Sequence, residues 1–386
     1  MELWAWGANN YGQLGTGSIC DQEDNPRIVP LPFECSIDTL QVAGGGGHTL
    51  LTDPSKKRLY VTGWNNKGQL GLGNGFKNIE TFSEVEFGLI SKENTEDRIR
   101  IAKIACGWDF SLVLLNNGTI FGCGSNAFGQ LGLGEEIQIV PKFIKIKSLT
   151  EVKITDIACG MRHALLLDET GNVYSTGCGK KGQLGLGDSV KKLFTPTKIS
   201  GIPSFPLSVH CGQHFSAIVT SQAGCKVFMF GDNKYNQVSN LSINTTFKPE
   251  PIFNNILTPD LNSIIQMSCG WTHSVLVISH GKKVISWGRN NYGQLGSKSI
   301  NDGYAVVEVP EDTINISSGY EHVLAVTAKG NLFSWGWNEH SNCGVGEPKE
   351  NIFTPQPVSL KNQKAVNCYA GSAHSFVLLQ AKDLNL

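Results

Sequence analysis

Histidine and cysteine, the side chains that most often bind metals or transfer protons, recur in this sequence in one fixed context. That context is the phrase (C/A/S)-G-x-x-(H/F) followed by an apolar run, and it occurs seven times. Histidine fills the last position in five copies, at His48, His163, His273, His322 and His374. Cysteine fills the first position in four copies, at Cys106, Cys159, Cys211 and Cys269. The first hypothesis is therefore a set of metal ligands or catalytic bases.

The pattern itself argues against metal or acid–base chemistry. Phe110 and Phe215 occupy the histidine position in the other two copies, and phenylalanine can neither bind a metal nor accept a proton. Copies that belong to different repeats also cannot converge on one ion. We expect each histidine to be a buried structural residue hydrogen-bonded between strands, and each cysteine to be a small packing residue. The sequence thus predicts neither a metal site nor a cofactor.

A second phrase resembles a phosphate-binding loop. The segment 177–182, GCGKKG, matches the G-x-G-x-x-G fingerprint of dinucleotide-binding proteins. It is, however, one variant of a repeated phrase, G-x-N-x-x-G-Q-L-G, and is therefore predicted to be an ordinary turn. The sequence contains no P-loop, HExxH, GxSxG or EF-hand motif. We therefore predict no covalent active site.

The two phrases alternate along the chain and define a repeat. The phrase G-x-N-x-x-G-Q-L-G, or a weaker version of it, begins at Gly7, Gly63, Gly124, Gly177, Gly231, Gly288 and Gly336. A unit of about 50 residues that contains four short strands is the signature of a β-propeller. The sequence therefore predicts an all-β fold, a seven-bladed β-propeller that takes up residues 1–386 as a single domain.

The phase of the repeat predicts how the ring closes. The chain starts on the strand that leads into the first G-x-N turn and ends on a strand that follows G-x-x-H. These two strands form one hairpin in every internal repeat. We expect residues 1–15 and 365–380 to share the last blade, so that pairing of the N- and C-terminal strands closes the ring.

The two variable positions of G-x-x-(H/F) fall in a turn just before a strand, once per blade. They are predicted to form a ring of loops on one face, where binding residues collect. The candidate partner-binding residues are Trp108, Asp109, Arg162, His214, Trp271, Thr272, Tyr320 and Glu321. Exposed Trp, Tyr and Arg dominate protein interfaces, so we predict a protein-binding surface. In the alternative interpretation, Trp108 and Trp271 only fill the central channel.

Charge and composition restrict the expected partners. The 32 Lys and Arg residues balance 33 Asp and Glu residues, so neither nucleic acid nor an anionic membrane surface is an expected partner. No apolar run is long enough to span a membrane, and the N-terminus does not resemble a signal peptide. The 11 cysteines form no C-x-x-C pair, which is typical of a reduced intracellular protein. We expect a monomer located in the cytoplasm and also in the nucleus.

The repeat resembles that of the regulator of chromosome condensation family in the phrases WGANNYGQLG, CGMRHALLLDETGNVYSTG and CGWTHSVLV. It is similar to secretion-regulating members of that family in AGGGGHTLLTD, ACGWDFSLVL and SWGWNEHSNCG. The resemblance covers all seven repeats. It implies a propeller that binds a Ras-like small GTPase and promotes nucleotide release, with exocyst components as further partners. It also implies that Asp109 and His214 stand at turn positions that assist exchange.

These observations leave two functional hypotheses. The first is a guanine nucleotide exchange factor, or another regulator of a Ras-like small GTPase, linked to secretion. The second is a non-catalytic scaffold that binds proteins through the same loops. A photoreceptor similar to the plant UV-B sensor would need clustered Trp and Arg on one face. Only Trp108, Trp271 and Arg162 meet that need in these turns, so this third function is disfavoured.

Overall fold

The structure is a computed structural model in which seven four-stranded antiparallel sheets form a ring. It describes residues 1–35, 40–73, 75, 77–86, 99–149, 151–202, 205–221, 227–239, 243–252, 264–278, 282–300, 303–346 and 350–380. In these ranges the secondary structure consists of 28 β-strands and one short 3₁₀ turn at Lys147–Leu149. The all-β, seven-bladed propeller that the repeat predicts is confirmed.

The strands are numbered along the chain, and six blades each consist of four consecutive strands. The N-terminal strands are β1 (Glu2–Ala8) and β2 (Gln22–Ile28). Blade 1 contains β3 (Val42–Gly44), β4 (His48–Thr52), β5 (Leu59–Gly63) and β6 (Ile79–Glu84). Blade 2 contains β7 (Ile101–Cys106), β8 (Phe110–Leu115), β9 (Ile120–Ser125) and β10 (Ile139–Lys145). Blade 3 contains β11 (Ile154–Cys159), β12 (His163–Asp168), β13 (Val173–Cys178) and β14 (Lys192–Lys198).

The second half of the ring follows the same order. Blade 4 contains β15 (Pro206–Cys211), β16 (Phe215–Thr220), β17 (Val227–Asp232) and β18 (Thr245–Pro251). Blade 5 contains β19 (Gln266–Cys269), β20 (His273–Ile278), β21 (Lys283–Gly288) and β22 (Tyr304–Val307). Blade 6 contains β23 (Thr313–Ser318), β24 (His322–Thr327), β25 (Leu332–Gly336) and β26 (Ile352–Pro357). Blade 7 contains β27 (Ala365–Ala370) and β28 (His374–Leu379) together with β1 and β2, and β28 pairs with β1.

The burial of the strands follows their distance from the axis. The first strand of each blade lies innermost and packs against the first strand of the next blade, all the way around the ring. The second strand is buried along its whole length, as in Phe110–Leu115, because neighbouring blades cover both of its faces. The fourth strand is largely exposed, as in Lys192–Lys198. The core therefore consists of the apolar layers between successive blades.

Blade 7 closes the ring with strands from both ends of the chain. The strand order is β2-β1-β28-β27, and β1 pairs with β28 from Glu2 opposite Leu379 to Gly7 opposite His374. Trp6 is fully buried, and its indole Nε1 donates to the Asn342 carbonyl of blade 6 at 3.0 Å. Trp335 makes the equivalent contact from blade 6 to Gln294 of blade 5, at 3.2 Å. The predicted closure by the terminal strands is confirmed.

The five recurring histidines are fully buried between blades. Four of them contact a hydroxyl that follows the histidine position of the next blade: His48 to Ser111 (2.9 Å), His163 to Ser216 (3.0 Å), His322 to Ser375 (2.9 Å) and His374 to Thr49 (3.1 Å). His273 faces a blade in which Val323 stands at this position, and its Nε2 has no hydrogen-bond partner among the residues that the structure describes. Burial lowers the pKa of each of the five rings to about 3.

Closure by β1 predicts that the N-terminus is essential to the fold. Deleting residues 1–7 removes the strand that joins β2 to β28, so we expect loss of the cooperative thermal transition, measured by circular dichroism. A variant that keeps the melting temperature of the parent protein would contradict this account. Trp6→Ala is the milder test and should lower the free energy of unfolding by about 3–5 kcal/mol. The matched control is Trp337→Ala on the loop surface, which should lower it by less than about 1 kcal/mol.

The neutral, buried histidines predict a loss of stability in acid. Below the unfolded pKa of 6.5 the unfolded chain takes up a proton that the folded ring at His163 does not accept until about pH 3. Each such histidine therefore lowers the free energy of unfolding by about 1.4 kcal/mol per pH unit in that window. His163→Phe places at this position the residue that blades 2 and 4 carry. When the pH falls from 7.5 to 5, its free energy of unfolding should rise by about 2 kcal/mol relative to that of the parent protein. Urea unfolding at both pH values measures this, and an equal difference at both would show the prediction wrong.

Candidate protein-binding face

Two sets of loops lie at the same end of the propeller. Strands alternate in direction within a blade, so the turn between strands one and two and the loop between strands three and four share one end. The inner turns carry the G-x-x-(H/F) phrase, and the outer loops carry G-x-N-x-x-G-Q-L-G. We call this end, formed by the inner turns and the outer loops of all seven blades, the loop face.

Backbone hydrogen bonds around the axis fix the inner turns. At the first variable position of G-x-x-(H/F), each N–H donates to the carbonyl of the corresponding turn in the next blade. The donor–acceptor pairs are Gly46–Trp108 (3.1 Å), Trp108–Met161 (3.2 Å), Met161–Gln213 (3.3 Å), Gln213–Trp271 (3.1 Å), Trp271–Tyr320 (2.8 Å), Tyr320–Ser372 (3.1 Å) and Ser372–Gly45 (3.3 Å). These seven bonds form a closed ring, which we call the axial hydrogen-bond ring.

A second set of seven bonds joins the inner turns to the outer loops. The carbonyl oxygen at the second variable position accepts a hydrogen bond. The donor is the backbone N–H of the residue that follows the first glycine of the outer loop. The acceptor–donor pairs are Gly47–Trp64, Asp109–Ser125, Arg162–Cys178, His214–Asp232, Thr272–Arg289, Glu321–Trp337 and Ala373–Ala8, at 2.7–3.0 Å. Both variable positions of each inner turn are thus held by the backbone, whatever side chain they carry.

Three of the predicted site residues form one aromatic cluster at the centre of the loop face. The Trp271 and Tyr320 rings stack with centroids 3.5 Å apart, and Trp108 lies 5.6 Å from Trp271 and 5.7 Å from Tyr320. Burial raises the pKa of the Tyr320 phenol, and the Asp109 carboxylate adds to this rise. The cluster covers a channel cavity of about 160 Å³ and also lines a larger depression on the loop face. It therefore closes the channel and presents aromatic surface outwards.

Asp109, Arg162 and His214 occupy the second variable position in blades 2, 3 and 4. Burial raises the pKa of the Asp109 carboxyl, and the Arg162 cation partly offsets the rise. Burial lowers the pKa of His214. The Arg162 guanidinium lies 4.4 Å from the centroid of the Phe128 ring on the outer loop of blade 2. These polar groups are half-buried, and the Asp109 carboxylate lies close enough to the aromatic cluster to act on the Tyr320 phenol.

Thr272 and Glu321 differ from the other predicted site residues because both are buried, with 7% of each exposed. The Thr272 hydroxyl lies 2.8 Å from both carboxylate oxygens of Glu321, and the Gln294 amide donates to the same carboxylate at 2.6 Å. Arg289 lies 3.9 Å away as an ionic partner. The carboxylate therefore joins the inner turns of blades 5 and 6 and fixes the shape of the loop face.

Comparison with known proteins identifies the family of this propeller. The sequence model of the RCC1-like domain family matches residues 2–377. The chain belongs to the RCC1-like family. It is 34% identical to the secretion-regulating guanine nucleotide exchange factor of Mus musculus, over 98% of this chain and 83% of the relative.

Two further proteins are similar to this RCC1-like chain. It is 32% identical to the ultraviolet-B receptor UVR8 of Arabidopsis thaliana, over 90% of this chain and 76% of the relative. The crystal structure of human WBSCR16 has a TM-score of 0.84 and 23% identity, with 99% of this chain and all of that chain covered. This likeness shows that the two chains share a fold.

The outer loops of the RCC1-like chain contribute aromatic surface to the loop face that the sequence pattern did not predict. Tyr11 of blade 7 stacks on Trp64 of blade 1 at 5.2 Å, and Trp64 lies 6.3 Å from Trp108 in an edge-on arrangement. A depression of about 560 Å³ lies between the outer loops and the centre. We call it the aromatic basin, after its lining residues Tyr11, Trp108, Tyr235, Trp271, Tyr292, Tyr320 and Trp337. The variable x positions of G-x-N-x-x-G could have predicted this basin, because strand direction places them at the same end of the propeller as the inner turns.

The recurrent cysteines and the GxGxxG phrase offer no chemistry in this RCC1-like fold. Burial raises the pKa of the Cys106 and Cys269 thiols to about 12, so neither is a thiolate at neutral pH. The segment 177–182 runs from the end of a strand into an outer loop and opens no helix. Across the described ranges no three His, Cys, Asp or Glu side chains are grouped to hold a metal ion. Nor does any helix found there have the length and apolar character to cross a membrane.

The buried position of Glu321 predicts a structural cost for its removal. Glu321→Ala leaves the Thr272 hydroxyl and the Gln294 amide without their buried acceptor, which should lower the free energy of unfolding by about 1–3 kcal/mol. The matched control is Glu339→Ala in the outer loop of blade 6, which is exposed and should change it by less than about 0.5 kcal/mol. Urea unfolding measures both variants, and equal values would refute the bridging role.

Proposed function

We propose that this protein binds a Ras-like small GTPase through the loop face and promotes release of the bound nucleotide. The aromatic basin carries the proposal, because it presents seven aromatic side chains on loops whose backbone is fixed by hydrogen bonds. Rigid aromatic side chains of this kind are the usual anchors of protein interfaces. The 34% identity to a protein named a guanine nucleotide exchange factor supports exchange as the consequence of binding.

Nucleotide exchange requires no covalent step from this chain. An exchange factor binds the nucleotide-free form of a GTPase more tightly than the nucleotide-bound form, and the difference in affinity sets the extent of release. The axial hydrogen-bond ring makes the loop face rigid before binding. Little entropy is then lost on this side of the complex, so the structural change falls on the GTPase.

The predicted site residues divide into three roles in this proposal. Trp108, Trp271 and Tyr320 are half-buried aromatic anchors at the centre of the contact. Around them, Asp109, Arg162 and His214 supply polar contacts to the GTPase. Thr272 and Glu321 keep the inner turns of blades 5 and 6 in register and act on the partner only through that geometry.

The cellular setting is part of the same proposal. We infer a role in secretion from the name of the mouse relative, and exocyst components as further partners from the family resemblance alone. The chain acts as a monomer and as a single domain over residues 1–386, in the cytoplasm and in the nucleus. The near-neutral net charge favours protein partners over nucleic acid.

Fluorescent-nucleotide release from a panel of Ras-like GTPases tests this function. The parent protein should accelerate release from at least one member. Trp271→Ala should reduce the accelerated rate by about tenfold or more, because it removes a central anchor, and Asp109→Ala should also reduce it. The control is Lys329→Ala, in the turn between β24 and β25 at the opposite end of the propeller, which should leave the rate unchanged.

The same assay separates exchange from scaffolding. A GTPase that binds the loop face without faster nucleotide release would leave only the non-catalytic scaffold. If no member of the panel binds or responds, the proposed function is wrong.

A further inference from the structure

A second depression lies between the outer loops of blades 5 and 6, at the rim of the aromatic basin. Its volume is about 480 Å³, and it is lined by Tyr292, Trp337, Glu339, Glu350, Asn351 and Phe353. We call it the rim cleft. It combines three aromatic rings with two carboxyl side chains, and the described residues that line it include neither lysine nor arginine. This composition suits a cation, because aromatic faces and carboxylates both attract positive charge.

The central side chain of the rim cleft is held in one orientation. The Trp337 backbone N–H donates to the Glu321 carbonyl at 2.8 Å. Its indole Nε1 donates to Glu339 Oε2 at 3.2 Å, which places a carboxylate beside the edge of the ring. The His340 ring packs edge-on against the indole, with centroids 5.2 Å apart. The Trp337 ring and the Glu339 carboxylate are thus positioned together.

The corresponding strands of other blades show which charged groups lie near this aromatic position. The fourth strands of blades 3, 4 and 6 share an F-x-P sequence that begins at Phe194, Phe247 and Phe353. In blade 3, Lys192 lies 4.5 Å from the Phe194 ring centroid. Lys191, just before the same strand, lies 5.2 Å from the Phe247 ring of blade 4. At these two aromatic positions the chain supplies its own cation.

The rim cleft has the same aromatic position but the opposite charge. Three and two positions before Phe353 stand Glu350 and Asn351, where blade 3 has two lysines at the same distance from Phe194. Within the part of the chain that the structure describes, no lysine or arginine lies over the Phe353 or Trp337 ring. Arg289 covers the third ring, that of Tyr292, at 4.6 Å. Among the described residues, the faces of Trp337 and Phe353 are therefore the ones left open to a cation from a partner.

We propose that the rim cleft binds an arginine side chain of a protein partner. A planar guanidinium can stack on an indole or phenyl ring while its N–H groups bond a carboxylate. The loop face already contains guanidinium–ring contacts of this kind. Arg162 lies 4.4 Å from the Phe128 ring, and Arg289 lies 4.6 Å from the Tyr292 ring and 4.9 Å from the Tyr235 ring. The inference rests on the proposed function, because the rim cleft shares Tyr292, Trp337 and Glu339 with the aromatic basin and would engage the same GTPase.

Fluorine NMR on the full chain labelled with 5-fluorotryptophan tests the site directly. The Trp337 resonance is identified by its loss in Trp337→Phe, and the probes are N-acetyl-arginine amide and its neutral isostere N-acetyl-citrulline amide. We expect a saturable shift with arginine and about fivefold weaker binding of citrulline. The double variant Glu339→Gln/Glu350→Gln should weaken arginine binding by about tenfold. The matched control Glu135→Gln/Glu136→Gln, an exposed acidic pair on the outer loop of blade 2, should leave it unchanged.

The outcomes separate this inference from the proposed function. No saturable shift, or equal shifts with both probes, would overturn the arginine site. A GTPase whose nucleotide release responds to the parent protein and equally to Glu339→Gln/Glu350→Gln would also overturn it, while leaving the proposed function intact. Arginine binding with no responsive GTPase would retain the site and refute the function.

Discussion

The axial hydrogen-bond ring is the constraint on which the loop face depends. Each blade has two apolar faces that only its neighbours can bury, so no blade is stable alone and the ring must close. Closure brings successive inner turns into backbone contact, and that contact leaves no room for a side chain at the preceding glycine. A Cβ at Gly160 would lie 2.6 Å from the Gly212 carbonyl oxygen of the next blade and 2.1 Å from the His163 ring. The glycine and the bulky residue three positions later therefore belong to one contact between neighbouring blades.

The same contact between blades explains which residue follows the histidine position of the repeat. In four blade pairs a buried imidazole meets a serine or threonine hydroxyl of the next blade. Where the slot holds Phe110, the facing residue is Ala164, so neither partner needs a hydrogen bond. Two blade pairs are mixed. His273 faces Val323, and among the described residues its Nε2 has no hydrogen-bond partner. Phe215 faces Ser274, whose hydroxyl donates instead to the Cys269 thiol at 3.6 Å. A polar pair and an apolar pair can thus fill the same contact between blades. In a mixed pair the buried polar atom either finds another partner, as in Ser274, or stays unsatisfied, as in His273.

Rigidity at the axis allows the side chains on the loop face to vary without loss of the fold. Both variable positions are held through backbone atoms, so Gly46, Trp108 and Met161 can occupy equivalent places with no change in the ring. The result is an uneven surface on a regular frame. Cations such as Arg162 and Lys192 lie over aromatic rings in blades 2 and 3, and the carboxylates of Glu339 and Glu350 lie in blade 6. A charge difference across one face can orient a docking partner as well as attract it.

The sequence by itself determined the seven blades, the closure by the terminal strands and the inner turns as variable positions, because a repeat imposes the same local geometry on every copy. It did not reveal that Thr272 and Glu321 are bonded to each other, or that Tyr292, Trp337 and Phe353 meet in one cleft. These contacts join residues of neighbouring blades, and the local pattern is the same whether such side chains are paired or exposed. Packing between blades decides their environment, and only the tertiary structure contains it.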